Sequence, residues 1–124
     1  MGALQARVFG IILTFPIIFL SGFWLSHAGK LFGGVAGFIH KIISLAAVIL
    51  LISLVAYAHH AARLSGIEWA VCVLAVLLFI AAMVSGGMVM ADVFVQPARM
   101  AHRVAPYLVL LSSAAVIWLL RRSR

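Results

Sequence analysis

Two histidines recur in the same sequence setting and are suited to binding a metal together. Ser21-Gly22 precedes His40-Lys41, and Ser85-Gly86 precedes His102-Arg103, with eighteen residues from glycine to histidine in the first copy and sixteen in the second. Each copy places one imidazole near the same end of a separate apolar segment. Electron-transfer haems take two axial protein ligands. We therefore expect His40 and His102 to be metal ligands and haem b to be the cofactor.

Four apolar segments are predicted to position these histidines. The chain has 124 residues, of which 67% are hydrophobic, more than a soluble domain of this size can bury. A membrane-spanning helix needs about 20 apolar residues, and the predicted helices are approximately 8–25, 33–57, 67–90 and 103–120. We expect one transmembrane domain, 1–124, with an all-α fold: an integral membrane four-helix bundle with two parallel helix-pair repeats.

The charge distribution indicates a membrane topology rather than a nucleic-acid partner. Nine Lys and Arg outnumber Glu68 and Asp92, which gives a net charge of +7. The cations lie at the ends of the predicted helices, where topology and anionic lipids account for them. The basic cluster at 121–124 favours cytoplasmic termini in a bacterial inner membrane, with His40 and His102 near the periplasmic face. The single cysteine, Cys72, excludes an intrachain disulfide and covalent c-type haem attachment.

Two features mark predicted helix ends. Ser65 and Glu68 have the spacing of a capping box that begins the third helix. Pro106 has two interpretations, which the sequence leaves open. It can occupy the first turn of the fourth helix, where its missing N–H has no partner to lose. If that helix begins earlier, Pro106 removes the backbone hydrogen bond to the carbonyl of His102.

Cations and small residues accompany the predicted ligands. Lys41 and Arg103 are expected to bind the anionic haem propionates, because charge-assisted contacts of this kind are strong. Gly22, Gly37 and Gly86 are expected to let the flat macrocycle approach the helix backbones. Small residues also pack membrane helices together without any cofactor. Further cations are predicted in the adjoining loops, at Lys30 and Arg99.

For the three other histidines, the sequence gives less indication of a function. His27 is expected in the first outer loop, either simply solvated or exchanging protons with a quinol. His59 and His60 close the second predicted helix beside Arg63. Adjacent helical residues diverge by about 100°, so these two cannot bind one iron. They are expected to form an interfacial pair, with a cofactor or quinone at a dimer interface as the alternative.

The repeated motifs resemble those of bacterial four-helix integral membrane cytochrome b subunits. The resemblance covers most of the chain and rests on Ser-Gly ending helices one and three, and His-Lys and His-Arg opening helices two and four. It implies a bis-histidine haem b and electron transfer between quinol and a periplasmic or complex-bound redox partner, as in a subunit of a quinone-linked oxidoreductase. Many relatives hold two haems. Here Leu54 stands where a further ligand is expected, so one haem per chain is predicted.

Other functions remain open on the sequence alone. The two histidines could instead bind another metal, relay protons or serve a structural role. The chain could be a cofactor-free membrane anchor or assembly subunit of a larger complex, and a homodimer is a further option. Met88, Met90 and Met100 lie near His102, and thioethers with imidazole can hold Cu(I). The segment from Ser85 to Arg99 also looks like copper-resistance membrane proteins, which favours copper handling as a third function.

Overall fold

The computed structural model describes residues 2–27 and 30–123, with side chains throughout except at 30–33. These residues form four helices: α1 (Ala3–His27), α2 (Lys30–Ala61), α3 (Gly66–Met90) and α4 (Val95–Arg122). Helix α1 packs against α2, and α3 packs against α4. The chain divides into two compact units, Met1–Leu54 and Val55–Arg124. The predicted all-α fold of two packed helix pairs is therefore confirmed.

All four helices are long and apolar enough to cross a membrane. Their outer faces expose large apolar side chains, such as Leu20 at 70% and Ile67 at 73% of their surface. Apolar area of this extent is unfavourable in water and favourable against lipid. The chain thus fits a membrane helical bundle that associates with the lipid bilayer.

The helices extend beyond the apolar segments that predict them. Helix α4 begins at Val95 rather than near Arg103, so His102 lies seven residues inside it, about two turns. The apolar run is interrupted by Gln96, Arg99 and Arg103. The residue types of this stretch nevertheless favour a helix, since it contains alanine, methionine and arginine. Apolar length therefore indicates the membrane-spanning part of a helix and not its ends.

Two prolines occupy different positions in α4. Pro97 lies in the first turn, where backbone N–H groups have no partner within the helix. Pro106 lies inside the helix, which agrees with the second of its two sequence interpretations. It offers no N–H to the carbonyl of His102, four residues earlier in the helix.

The short connection between α3 and α4 turns without glycine. Asp92 and Phe94 have positive backbone φ angles of 54° and 45°, a left-handed conformation that aspartate tolerates better than phenylalanine. The backbone N–H of Val93 donates to the Met88 carbonyl at 3.0 Å, which closes the last turn of α3.

The predicted capping box at the start of α3 is confirmed. The Ser65 hydroxyl accepts a hydrogen bond from the Glu68 N–H at 3.3 Å, and the Glu68 carboxylate accepts one from the Ser65 N–H at 2.8 Å. Glu68 is buried, with 7% of its surface exposed. Its place in the capping box accounts for a buried carboxylate at this helix end.

We expect Glu68→Ala to lower the free energy of unfolding by about 1 kcal/mol, because a backbone N–H at the helix start then loses its acceptor. Glu68→Gln is the matched control, since glutamine serves in the same capping box. Thermal unfolding in detergent, followed by circular dichroism, measures both variants. Equal stability of the alanine and glutamine variants would contradict a capping role for this side chain.

Candidate functional site

In the Met1–Leu54 unit, His40 of α2 is held by a Ser-Gly pair of α1. His40 Nδ1 lies 2.9 Å from Ser21 Oγ, and the Ser21 hydroxyl also lies 3.1 Å from the Ile18 carbonyl oxygen. A Cβ added to Gly22 would lie 3.1 Å from His40 Cε1. Ser21 therefore binds the ring, while the missing side chain of Gly22 lets the half-buried ring lie against α1.

The Val55–Arg124 unit repeats this arrangement between α3 and α4. His102 Nδ1 lies 2.8 Å from the Ala82 carbonyl oxygen and 3.3 Å from Ser85 Oγ. A Cβ added to Gly86 would lie 2.8 Å from His102 Cε1, closer than Cβ atoms normally approach another atom. We call each arrangement an imidazole clasp. Ser21, Gly22 and His40 form the first clasp, and Ser85, Gly86 and His102 form the second.

The clasps belong to a longer internal repeat that includes the buried face of each helix. Several pairs of positions, 64 residues apart in α1 and α3 and 62 residues apart in α2 and α4, are buried in both copies. These pairs are Val8/Cys72, Ile11/Ala75, Phe15/Phe79 and Ser21/Ser85, then Ala36/Ala98, Ala47/Val109, Leu51/Ser113 and Leu54/Val116. Part of the buried face of each helix is therefore repeated between the two helix pairs.

The predicted cations lie beside the clasps and are exposed. Lys41 and Arg103 each follow a clasp histidine, about 100° further around the helix axis. Neither forms a hydrogen bond or ion pair with a described side chain, which leaves out those of 30–33. Arg99, predicted in a loop, lies within α4. The Lys30 side chain lies outside the described residues.

The predicted glycines divide into two groups. Gly22 and Gly86 each lie against an imidazole, within the clasps. Gly37 is buried in α2, about one helical turn before His40. The structure thus brings Gly22 together with His40 and Gly86 together with His102, in separate helix pairs.

The remaining histidines have different surroundings. At the end of α2, His59 Nδ1 accepts a hydrogen bond from the Leu64 N–H at 3.3 Å, and its ring centroid lies 5.2 Å from that of Trp69. His60 is exposed. His27, expected in a loop, is the last residue of α1, where its Nδ1 lies 3.0 Å from the Phe23 carbonyl oxygen.

The repeated residues are visible in the sequence, but the contacts that join them are not. The family resemblance places each Ser-Gly pair at the end of a helix, whereas α1 and α3 continue several residues beyond these pairs, to His27 and Met90. The sequence feature that indicates these contacts is the nearly equal separation of serine and histidine, which is 19 residues in one copy and 17 in the other. The acceptor role of the Ala82 carbonyl left no sequence signal, because every residue carries a carbonyl.

Each clasp offers one imidazole as a possible metal ligand, so each helix pair has one. Within the part of the chain that the structure describes, no group of three or more His, Cys, Asp or Glu side chains is placed to hold a metal ion. Haem needs fewer protein donors, since the porphyrin supplies four nitrogens and the protein supplies the axial ligands. Each clasp therefore supplies one donor of the type that binds haem iron as an axial ligand.

No family model, curated protein or solved structure matches this chain. Assignment of a function therefore depends on the clasp geometry and on the residues around it.

Proposed function

We propose that the protein is a membrane b-type cytochrome, in which His40 and His102 are the axial ligands of one haem b. It carries electrons between membrane quinol and a periplasmic or complex-bound redox partner. The observation that supports this proposal is the repetition of the clasp. Both helix pairs hold one imidazole by its Nδ1 side, at 2.9 Å from Ser21 Oγ and 2.8 Å from the Ala82 carbonyl oxygen. Histidine ligands of metals are oriented by hydrogen bonds of this type at their second nitrogen.

The residues around the clasps suit the remaining requirements of a haem. Lys41 and Arg103 are exposed cations adjacent to the ligands and are assigned to the propionates, whose negative charge they would balance. The apolar helices would exclude water from the porphyrin rim. When bound, haem b supplies a one-electron couple whose potential depends on axial ligands, burial and nearby charge. The protein contributes binding, orientation and electrostatics.

The purified protein tests this proposal directly. Membranes are solubilised in mild detergent, and the purified chain is examined by reduced-minus-oxidised absorption spectroscopy, pyridine haemochrome assay and copper analysis. A sharp α band with one haem b per chain is the expected result. The contrary result is folded protein that binds no haem after expression with added haem precursor and contains stoichiometric copper. That result would refute the cytochrome function and support copper handling.

A second candidate is a cofactor-free membrane anchor or assembly subunit of a larger complex. The observation that favours it is that each clasp already joins two helices, through the Ser21–His40 contact in one pair and the Ser85–His102 contact in the other. Hydrogen bonds between side chains hold membrane helices together at about 0.6–2 kcal/mol each. Folded protein with neither haem nor copper would support this candidate.

A further inference from the structure

The hydrogen bonds of the first clasp determine which nitrogen of His40 carries a proton. Ser21 has one hydroxyl hydrogen, and its Oγ lies 3.1 Å from the Ile18 carbonyl oxygen, which can only accept. When the hydroxyl donates to that carbonyl, Oγ is left as an acceptor for the second contact, 2.9 Å from His40 Nδ1. Both contacts are satisfied together when Nδ1 carries the hydrogen.

The second clasp gives the same assignment on independent grounds. His102 Nδ1 lies 2.8 Å from the Ala82 carbonyl oxygen. A carbonyl has no hydrogen to donate, so the hydrogen of this bond belongs to Nδ1. The Ser85 hydroxyl donates to the same carbonyl at 3.0 Å. Ser85 Oγ, 3.3 Å from Nδ1, is thus a weaker second acceptor.

We propose that the two clasps set the tautomer of their histidines: each holds the proton on Nδ1, so that the neutral ring carries its metal-binding lone pair on Nε2. Ser21 and Ser85 are then positioning residues, which act through the histidines. The tautomer assignment rests on the hydrogen bonds alone, and only its consequence for iron ligation rests on the proposed function. His59 provides the contrast, because its Nδ1 accepts from the Leu64 N–H and its neutral ring must carry the proton on Nε2.

The two clasps respond differently to loss of the serine. In the first clasp, the 2.9 Å contact to Nδ1 comes from a side chain and is removed by Ser21→Ala. In the second, the shorter contact comes from the Ala82 backbone, which Ser85→Ala leaves in place. Ser21→Ala is therefore expected to disturb its histidine more than Ser85→Ala, although the serines occupy equivalent positions.

Nitrogen NMR of the cofactor-free full chain in lipid nanodiscs tests the assignment. The chain is labelled with ring-¹⁵N histidine and measured at about pH 8, where an ordinary imidazole is neutral. His40→Gln and His102→Gln assign the signals. We expect protonated Nδ1 and unprotonated Nε2 for His40 and His102, and the reverse for His59. Ser21→Ala should give His40 a mixture of tautomers, whereas Ser85→Ala should leave His102 on Nδ1–H.

An unprotonated Nδ1 in neutral His40 or His102 overturns the inference, whether or not the protein binds haem. So does an unchanged His40 signal in Ser21→Ala, provided that circular dichroism shows the helix content of the wild type. The expected tautomers in a protein that never binds haem would leave the inference standing and refute only the cytochrome function. In the haem-loaded protein, Ser21→Ala should raise the midpoint potential more than Ser85→Ala, because a hydrogen bond from Nδ1 makes the imidazole a stronger electron donor to the iron.

Discussion

We expect that His40→Ala and His102→Ala will each abolish haem retention. Each substitution removes one of two axial imidazoles, and no other described group takes the same place in the clasp. Loss of a supporting contact to a ligand lowers metal affinity about 10–100-fold, so loss of the ligand itself should lower it further. The measurement is the haem-to-protein ratio after purification, from the pyridine haemochrome assay and the protein concentration.

Glutamine variants separate ligation from packing. His40→Gln and His102→Gln keep a polar side chain of similar length beside Ser21 or Ser85, but they lack the imidazole nitrogen. They should lose haem while circular dichroism shows an unchanged helix content. His60→Ala is the matched control, because His60 is exposed at the end of α2. It should retain the wild-type haem content. Normal haem content in a His40 or His102 variant would rule out that residue as a ligand.

The second large effect is expected at Gly86. In Gly86→Ala, the new methyl group would lie 2.8 Å from His102 Cε1, so the ring has to move. Movement of the ring lengthens its 2.8 Å hydrogen bond to the Ala82 carbonyl. Overpacking of this kind costs about 1–3 kcal/mol. Thermal unfolding of the detergent-solubilised protein should show the loss of stability, and the haem content should fall with it.

Gly87→Ala is the control for that substitution, because it lies in the same helix at the next position. A Cβ on Gly87 meets no atom within 4 Å, and alanine favours a helix over glycine by up to about 1 kcal/mol. This variant should be as stable as the wild type or more stable. Gly22→Ala should have an intermediate effect, since its Cβ would lie 3.1 Å from His40 Cε1. Equal stability of Gly86→Ala and Gly87→Ala would show that the position of the His102 ring does not require glycine at position 86.

Features that depend on nearby residues were predictable from the sequence. The capping box joins Ser65 to Glu68 across a single helical turn, so the spacing of the two residues was enough to identify it. The four helices followed from apolar length, because a chain in lipid must satisfy its backbone hydrogen bonds within each segment. The start of α4 at Val95 was missed, since Gln96 and Arg99 end the apolar signal but not the helix.

By itself, the sequence determined that the chain has helices long and apolar enough to cross a membrane, and that Ser-Gly and His recur in both halves. Composition and short-range spacing carry this information, because a membrane-spanning helix needs a long apolar segment and the repeat consists of residue types. Only the tertiary structure decided what the repeat does in each helix pair. The Ser21–His40 contact and the His102 bond to the Ala82 carbonyl join residues on adjacent helices. Such contacts depend on how two helices pack and, for a backbone carbonyl, on no side chain at all.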